Sequence, residues 1–137
     1  MTNKFYLDTC IWRDYLEDRK DRFRPLGEWA HRLIRKIIDD SEIIIISDIL
    51  LKELGRDLTD DQIRNMLGII PVQLIMNVYH TETQARLAMG IKKRNKIPFN
   101  DALHSVIARE CAAVLVSRDS HLLCLPGSEV FKPEDLL

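Results

Sequence analysis

The chain has 137 residues, 46% of them hydrophobic and 30% charged, and its net charge at pH 7 is −1. This length suits one domain that buries about two-thirds of the unfolded chain's surface, and the composition is that of a globular protein. The longest apolar run is far too short for a membrane span and no signal peptide is recognisable, so we expect a cytoplasmic protein without a membrane partner.

The first half of the chain predicts strands and helices in alternation. The short run KFYL predicts a strand, and helices follow near 10–18 and over 26–39, where apolar residues recur at helical spacing. The β-branched run EIIII at 42–46 is typical of a strand buried on both faces. The segment SDILLKELG begins with a helix cap and ends on Gly55.

The second half continues the same alternation. It predicts a helix near 59–68, a strand around VQLIM, helices over 81–95 and 100–112, the strand AVLVS and a weaker strand, EVFKP. Strands separated by helices indicate parallel βαβ units with helices on both faces of the sheet. We therefore predict a single α/β domain over residues 1–137 with a central, mostly parallel sheet.

Asp8 and Asp119 each follow a predicted strand, in FYLDTCIW and AVLVSRD. A helix cap explains Asp8 cheaply, because Asp8 or Thr9 can accept the free amides of a helix that starts near Ile11. In an open parallel sheet, however, the ligand crevice lies outside the carboxyl ends of the strands. We therefore expect both carboxylates at one end of the sheet, where a ligand site belongs.

Two further carboxylates, Asp101 and Glu53, are on predicted helices. Asp101 falls in the first turn of its helix, where acidic residues are common without any function. Viewed down the helix axis, Glu53 lies within the apolar arc of its helix, rotated by about 40° from Ile49 and by about 60° from Leu50. A Glu on a buried face requires a partner, and no single Lys or Arg is placed to serve all four carboxylates.

A divalent cation would relieve the repulsion among Asp8, Glu53, Asp101 and Asp119. At about 5 Å, each pair of like charges costs roughly 3 kcal/mol at an effective dielectric near 20. Without Cys or His at ligand spacing, the predicted donor set is all oxygen, which favours Mg²⁺ or Mn²⁺ over Zn²⁺. A metal-bound water of lowered pKa is suited to in-line attack on a phosphodiester, so phosphodiester hydrolysis is the leading chemistry.

Neighbouring polar residues are candidates for a supporting role. Thr9, Asn100 and Ser117 are placed to orient waters or the ligating carboxylates, although each is equally explained as a helix cap. His104 and His121 flank the acidic motifs, but such residues are more often packed or capping groups than metal ligands. We expect both histidines to support the site at most.

Four motifs in this order and spacing resemble those of PIN domains, and over the whole chain the sequence looks like the VapC-like branch, the ribonuclease toxins of type II toxin-antitoxin modules. The motifs are YLDTCIW, SDILLKEL, IPFNDALHSVIA and LVSRDSHL. The resemblance implies a three-layer α/β/α sandwich, a metal-dependent RNase site formed by the four acidic residues, and often a homodimer. It also implies an antitoxin that inserts an Arg or Lys in place of the metal. Ser117 stands where the family often has Thr, and Cys10 stands where small or polar residues are frequent, away from the ligands.

Several functional hypotheses stay open at this stage. The first is a metal-dependent endoribonuclease, with the basic segment IKKRNK (Lys92, Lys93, Arg94, Lys96) following the RNA backbone. Such an enzyme is either the toxin of a module or an RNA-processing nuclease without an antitoxin. A catalytically silent interaction module is the alternative from another class, and a phosphate-accepting receiver domain is a distant third, because LDTCIW offers only one acidic residue.

Overall fold

The computed structural model describes residues 2–20 and 22–137, which form a twisted sheet covered by helices on both faces. Five parallel strands make the sheet: β1 (Lys4–Leu7), β2 (Ile43–Ser47), β3 (Ile75–Val78), β4 (Val114–Val116) and β5 (Val130–Phe131). Their order is β3-β2-β1-β4-β5. The predicted α/β class with a parallel central sheet is confirmed.

The helices follow the predicted positions closely. They are α1 (Thr9–Glu17), α2 (Leu26–Asp39), α3 (Asp48–Leu54), α4 (Asp60–Leu67), α5 (Glu82–Asn95), α6 (Phe99–Glu110) and α7 (Ser120–Leu123). The sequence did not predict α7. The strand expected around VQLIM begins only at Ile75, because a 3-10 turn, Val72–Leu74, follows Pro71.

Two hydrophobic cores lie on the two faces of the sheet. Along β2, Ile44 and Ile46 belong to the core formed with α1 to α4, whereas Ile45 belongs to the core formed with α5 to α7. This division follows from the two-residue repeat of a strand, whose neighbouring side chains point to opposite faces. It explains why the run of isoleucines is uninterrupted, and it gives the three-layer α/β/α sandwich.

A close approach between α1 and α2 requires a glycine. A Cβ atom built at Gly27 would lie 2.5 Å from the Asp18 Cα and 2.8 Å from the Asp14 carbonyl oxygen, so the two helices can approach this closely only without a side chain at position 27. In the described ranges, no helix combines the length and apolarity needed to cross a bilayer.

The strand order reverses at β1, and this reversal positions the site. From β1 the chain builds outward through β2 and β3, and it then returns to add β4 and β5 on the other side of β1. The carboxyl ends of β1 and β4 therefore border the crevice in which open α/β sheets bind ligands.

Candidate metal centre

Asp8 lies at the carboxyl end of β1 and is 5% exposed. It caps α1, which begins at Thr9 and not near Ile11 as the sequence suggested. One carboxylate oxygen accepts from the Thr9 amide at 2.8 Å, and the other accepts from the buried Ser117 hydroxyl at 2.7 Å. Asp8 thus both caps a helix and is held in one orientation from the end of β4, so the cap alone does not account for its contacts.

Glu53 projects from α3 toward Asp8 and meets a histidine. Its Oε1 accepts from the Thr9 hydroxyl at 3.1 Å and contacts Nε2 of His104, a fully buried residue of α6. Burial raises the pKa of Glu53, but the hydrogen bonds from His104, Thr9 and Asn100 outweigh burial and lower the pKa overall. The carboxylate that the sequence assigned to the apolar face of its helix therefore has its partner.

Two histidines, His104 and His121, also lie among the four carboxylates. The sequence pattern does not predict the contacts of His104, because this residue lies in the buried stripe of α6 together with Leu103 and Val106. The argument applied to Glu53 would have found it, since a polar ring on a fully buried helix face requires partners just as a carboxylate does. Burial lowers the pKa of His104, but Glu53 and Asp8 raise it further than burial lowers it.

Asp101 and Asp119 form the other half of the cluster, with His121 between them. Nδ1 of His121 lies 3.3 Å from Asp101 Oδ2 and 3.2 Å from Asp119 Oδ1. Asp119 follows β4 and caps α7 by accepting from the His121 amide at 2.8 Å. Burial, together with the charges of Asp119 and Asp8, raises the pKa of Asp101 to about 6.

All four carboxylates predicted from sequence therefore converge at the carboxyl edge of the sheet. Two groups each bring their ligand atoms within 4.8 Å of one another: one is Asp8, Glu53 and His104, and the other is Asp101, Asp119 and His121. Because Asp8 contributes to the raised pKa of Asp101, the two groups share one electrostatic environment. A carboxylate such as Asp101, whose ionisation is opposed by its carboxylate neighbours, fits a site for a divalent cation.

The three predicted supporting residues each contact a candidate ligand. Ser117 is fully buried, donates to Asp8 and accepts from the Asp119 amide at 3.0 Å, so one hydroxyl links two candidate ligands. Thr9 contacts both Asp8 and Glu53, and Asn100 contributes to lowering the pKa of Glu53.

Cys10 is closer to the site than the sequence indicated. Its Sγ lies 3.6 Å from Asp8 Oδ2 and 3.7 Å from the Ser117 hydroxyl. Burial and the charge of Asp8 raise the pKa of this thiol to about 12, so the side chain stays neutral beside the carboxylate.

The predicted RNA-binding residues cluster where α5 ends. Lys92, Lys93 and Arg94 lie in its last turn, Lys96 caps it, and all four are exposed. We call this group the basic end of α5. Because α6 starts only three residues after Lys96 and carries Asp101 in its first turn, the basic end of α5 is adjacent to the α6 terminus that faces the carboxylates.

The sequence matches the PIN domain family over residues 5–125, a span that includes every candidate ligand. The chain belongs to the PIN domain family, as its motifs predicted. A search of curated proteins finds no match to this sequence.

Solved structures, among them two of VapBC bound to DNA, share this fold. VapBC2 from Rickettsia felis, bound to a promoter DNA fragment, is 16% identical with a TM-score of 0.69, covering 94% of this chain and 98% of that chain. DNA-bound VapBC from Salmonella typhimurium is 16% identical with a TM-score of 0.66, covering 97% and 99%. PAE2754 from Pyrobaculum aerophilum is 16% identical with a TM-score of 0.65, covering 98% and 86%. The predicted similarity to the VapC-like branch is confirmed at the level of the fold.

Proposed function

We propose that this protein is a metal-dependent endoribonuclease that hydrolyses RNA phosphodiester bonds. One observation carries the proposal: four carboxylates from four separate segments meet at the strand-order reversal, where burial and the charges of Asp119 and Asp8 raise the pKa of Asp101 to about 6. A fold stabilised only by its cores gains nothing from collecting such charges. A site that binds a cation requires them.

Mg²⁺ or Mn²⁺ is the cofactor that this donor set favours. Asp8, Glu53, Asp101 and Asp119 offer the carboxylate oxygens that both ions bind, and the His121 imidazole favours Mn²⁺, since nitrogen donors suit transition metals better than Mg²⁺. When bound, the ion supplies a water of lowered pKa and positive charge beside the scissile phosphate.

The protein's own residues orient the ligands and hold the substrate. Ser117 and Thr9 fix the two oxygens of Asp8 and one oxygen of Glu53, and fixed ligands favour one coordination geometry. The basic end of α5 is suited to RNA phosphates, because exposed Lys and Arg side chains bind them and release counterions. Single-stranded or looped RNA is the expected substrate.

The biological role that we propose is that of a toxin in a type II toxin-antitoxin module, inhibited by an antitoxin that inserts an Arg or Lys among the carboxylates. The structural neighbours from Rickettsia felis and Salmonella typhimurium are VapBC complexes, and this similarity of fold supports the proposal. A homodimer and a cytoplasmic location remain predictions from the sequence. An RNA-processing nuclease with the same site but no antitoxin is the alternative role.

A catalytically silent module is disfavoured by the same carboxylates. Such a module would need the fold and its surface, but it would have no use for a half-buried Glu53 or for the buried Ser117 hydroxyl that links Asp8 to Asp119.

Cleavage of a labelled single-stranded RNA tests the proposal. We expect cleavage with Mn²⁺ or Mg²⁺, none with EDTA, and recovery when metal is added back. Asp8→Asn should abolish cleavage, because it removes a charged ligand while the shape of the side chain is kept. The matched control is Asp61→Asn, an exposed residue of α4 that pairs only with Arg64 in the described part of the chain. Cleavage that persists in EDTA, or in the Asp8→Asn variant, would contradict the proposal.

A further inference from the structure

A buried chain of hydrogen bonds leads through the sheet to Glu53. It runs from Ser47 at the end of β2, through Tyr6 on β1, to His104 on α6. Each of these three residues has 0% exposure. The Tyr6 hydroxyl lies 2.6 Å from Ser47 Oγ and contacts Nδ1 of His104, and Nε2 of His104 contacts Glu53 Oε1.

The carboxylate at one end of this chain fixes a proton on Nε2 of His104. Ser47 Oγ accepts from the Leu50 amide at 3.1 Å, and an ionised Glu53 can only accept. In the arrangement that leaves no hydroxyl proton without an acceptor, Ser47 donates to Tyr6, Tyr6 donates to Nδ1 of a neutral His104, and Nε2–H of His104 donates to Glu53. If the ring is charged, Nδ1–H donates to Tyr6 and the bond from Nε2–H to Glu53 is unchanged. Burial raises the pKa of Tyr6, so its hydroxyl keeps the proton that this arrangement requires.

Both ring nitrogens of His104 are occupied whether the ring is neutral or charged. Nδ1 is used by Tyr6, and Nε2 carries the proton donated to Glu53, so no ring lone pair remains for a metal ion. Nε2 also lies 3.8 Å from Asp8 Oδ1, too far for a hydrogen bond. His104 therefore acts on Glu53 and not on the ion.

Glu53 would otherwise be free to turn. Its side chain is 19% exposed, and a Glu on a helix surface has several rotamers. His104 and the Thr9 hydroxyl both hold Oε1, which restricts the carboxylate to one orientation. Partners of this kind commonly change metal affinity by about 10–100-fold when they are removed.

We propose that His104 is a positioning residue, held by Tyr6 and Ser47, that orients Glu53 and thereby sets the affinity of the site for its divalent cation. This inference rests on the proposed function, because it assigns Glu53 a role toward the metal.

Calorimetric titration with Mn²⁺ tests the proposal with three substitutions at one position. His104→Leu should weaken Mn²⁺ binding by about 10–100-fold, because Leu fills the space but cannot donate. His104→Gln should bind within about threefold of the unmodified protein, since the Gln amide nitrogen takes the place of Nε2 and can donate to Glu53. His104→Asn reaches only the Nδ1 position, so it should resemble the Leu variant.

Val106→Ala is the matched control for a loss of stability. Val106 is fully buried on the same helix and does not belong to the hydrogen-bond chain. Its truncation should lower the melting temperature and leave Mn²⁺ affinity unchanged. If Val106→Ala weakens Mn²⁺ binding as much as His104→Leu does, the role of His104 is merely structural and the proposal is overturned.

A double-mutant cycle tests whether Tyr6 acts through His104. Tyr6→Phe alone should weaken Mn²⁺ binding several-fold, and it should add almost nothing to the loss already caused by His104→Leu. Equal effects of Tyr6→Phe in both backgrounds would show that the two residues act independently, which would overturn the proposed chain.

Two spectroscopic results separate this inference from the proposed function. In protein labelled with ¹⁵N-histidine and free of metal, we expect a proton on Nε2 of His104 whose resonance shifts in Glu53→Gln; an Nε2 without a proton would overturn the inference even if RNA cleavage is found. With Mn²⁺ bound, a nitrogen coupling in pulsed EPR that disappears in His104→Gln would identify His104 as a ligand and would also overturn it. Failure of the unmodified protein to bind Mn²⁺ would reject both the proposed function and the role of His104 in metal affinity.

Discussion

Replacing Asp101 by Asn should stabilise the metal-free protein at neutral pH. The pKa of Asp101 is raised from 3.8 to about 6, because its carboxyl group is buried beside Asp119 and Asp8. The folded state therefore holds the proton more tightly than the unfolded state does. The stability associated with the protonated form is fully present below about pH 4 and is lost as the pH rises through about 6.

The size of this effect follows from the pKa difference. A shift of about two units corresponds to roughly 3 kcal/mol against folding once Asp101 is ionised. The side chain is only 13% exposed, so solvent screening reduces this value little. Asn removes the charge but also loses a favourable interaction with the start of α6, which is worth about 0.5–1 kcal/mol. The net gain in the free energy of unfolding is about 2 kcal/mol near pH 7.5 and close to zero near pH 4.

Urea denaturation in EDTA measures this gain at several pH values between about 4 and 7.5. As the pH rises across this range, the free energy of unfolding of the unmodified protein should fall relative to that of Asp101→Asn. Added Mn²⁺ should then stabilise the unmodified protein much more than the variant, because only the former keeps the full ligand set. If Asp101→Asn is less stable than the unmodified protein at about pH 7.5 in EDTA, Asp101 is chiefly a helix cap and the electrostatic argument fails.

Four further predictions address the RNA path, the fold, the support of the ligands and the inhibitor. Replacing the Lys and Arg residues of the basic end of α5 by Gln should weaken the binding of RNA of any sequence, measured by fluorescence anisotropy. The salt dependence of binding should fall by about one released counterion for each phosphate interaction removed. An unchanged salt dependence would show that this segment is ordinary solvated surface. Gly27→Ala should lower the free energy of unfolding, measured in urea, by about 1–3 kcal/mol. It should leave Mn²⁺ affinity unchanged, because Gly27 packs against the C-terminal end of α1 and Asp8 lies at the other end. Ser117→Ala should weaken Mn²⁺ binding by roughly tenfold in calorimetry, whereas Ser105→Ala, a buried serine that bonds only the Ala102 carbonyl in the described ranges, should not. A partner peptide that inserts an Arg among the carboxylates should bind less tightly as Mn²⁺ increases, and an affinity independent of Mn²⁺ would locate inhibition elsewhere.

The sequence predicted the fold well because the relevant signals are local. Three such signals are the isoleucine run of β2, the cap at Ser47 and the apolar stripe of α6, and each depends only on residues near to it in the sequence. The short helix α7 was not predicted, because four residues are too few to show a period and its start depends on the Asp119 cap.

The four carboxylates were also predictable, because the ends of parallel strands meet at one edge of the sheet. The partners of the two histidines could not be predicted, because they depend on contacts between distant segments. His104 contacts Tyr6 and Glu53, which are 98 and 51 residues away in sequence, and no local pattern encodes that meeting. The proximity of Cys10 to the ligands could not be predicted for the same reason. Cys10 lies on α1, whereas its neighbour Ser117 follows β4, 107 residues later in the sequence.

The location of Mn²⁺ in crystals, found by its anomalous scattering, tests the central claim most directly. We predict a peak at the carboxyl edge of the sheet, between Asp8 and Asp101, with carboxylate oxygens within about 2.0–2.3 Å of the ion. The same peak should be absent from crystals of Asp8→Asn grown and soaked in the same way. No peak at this edge at saturating Mn²⁺, or a peak held only by the partly exposed pair Asp48 and His80, would contradict the account.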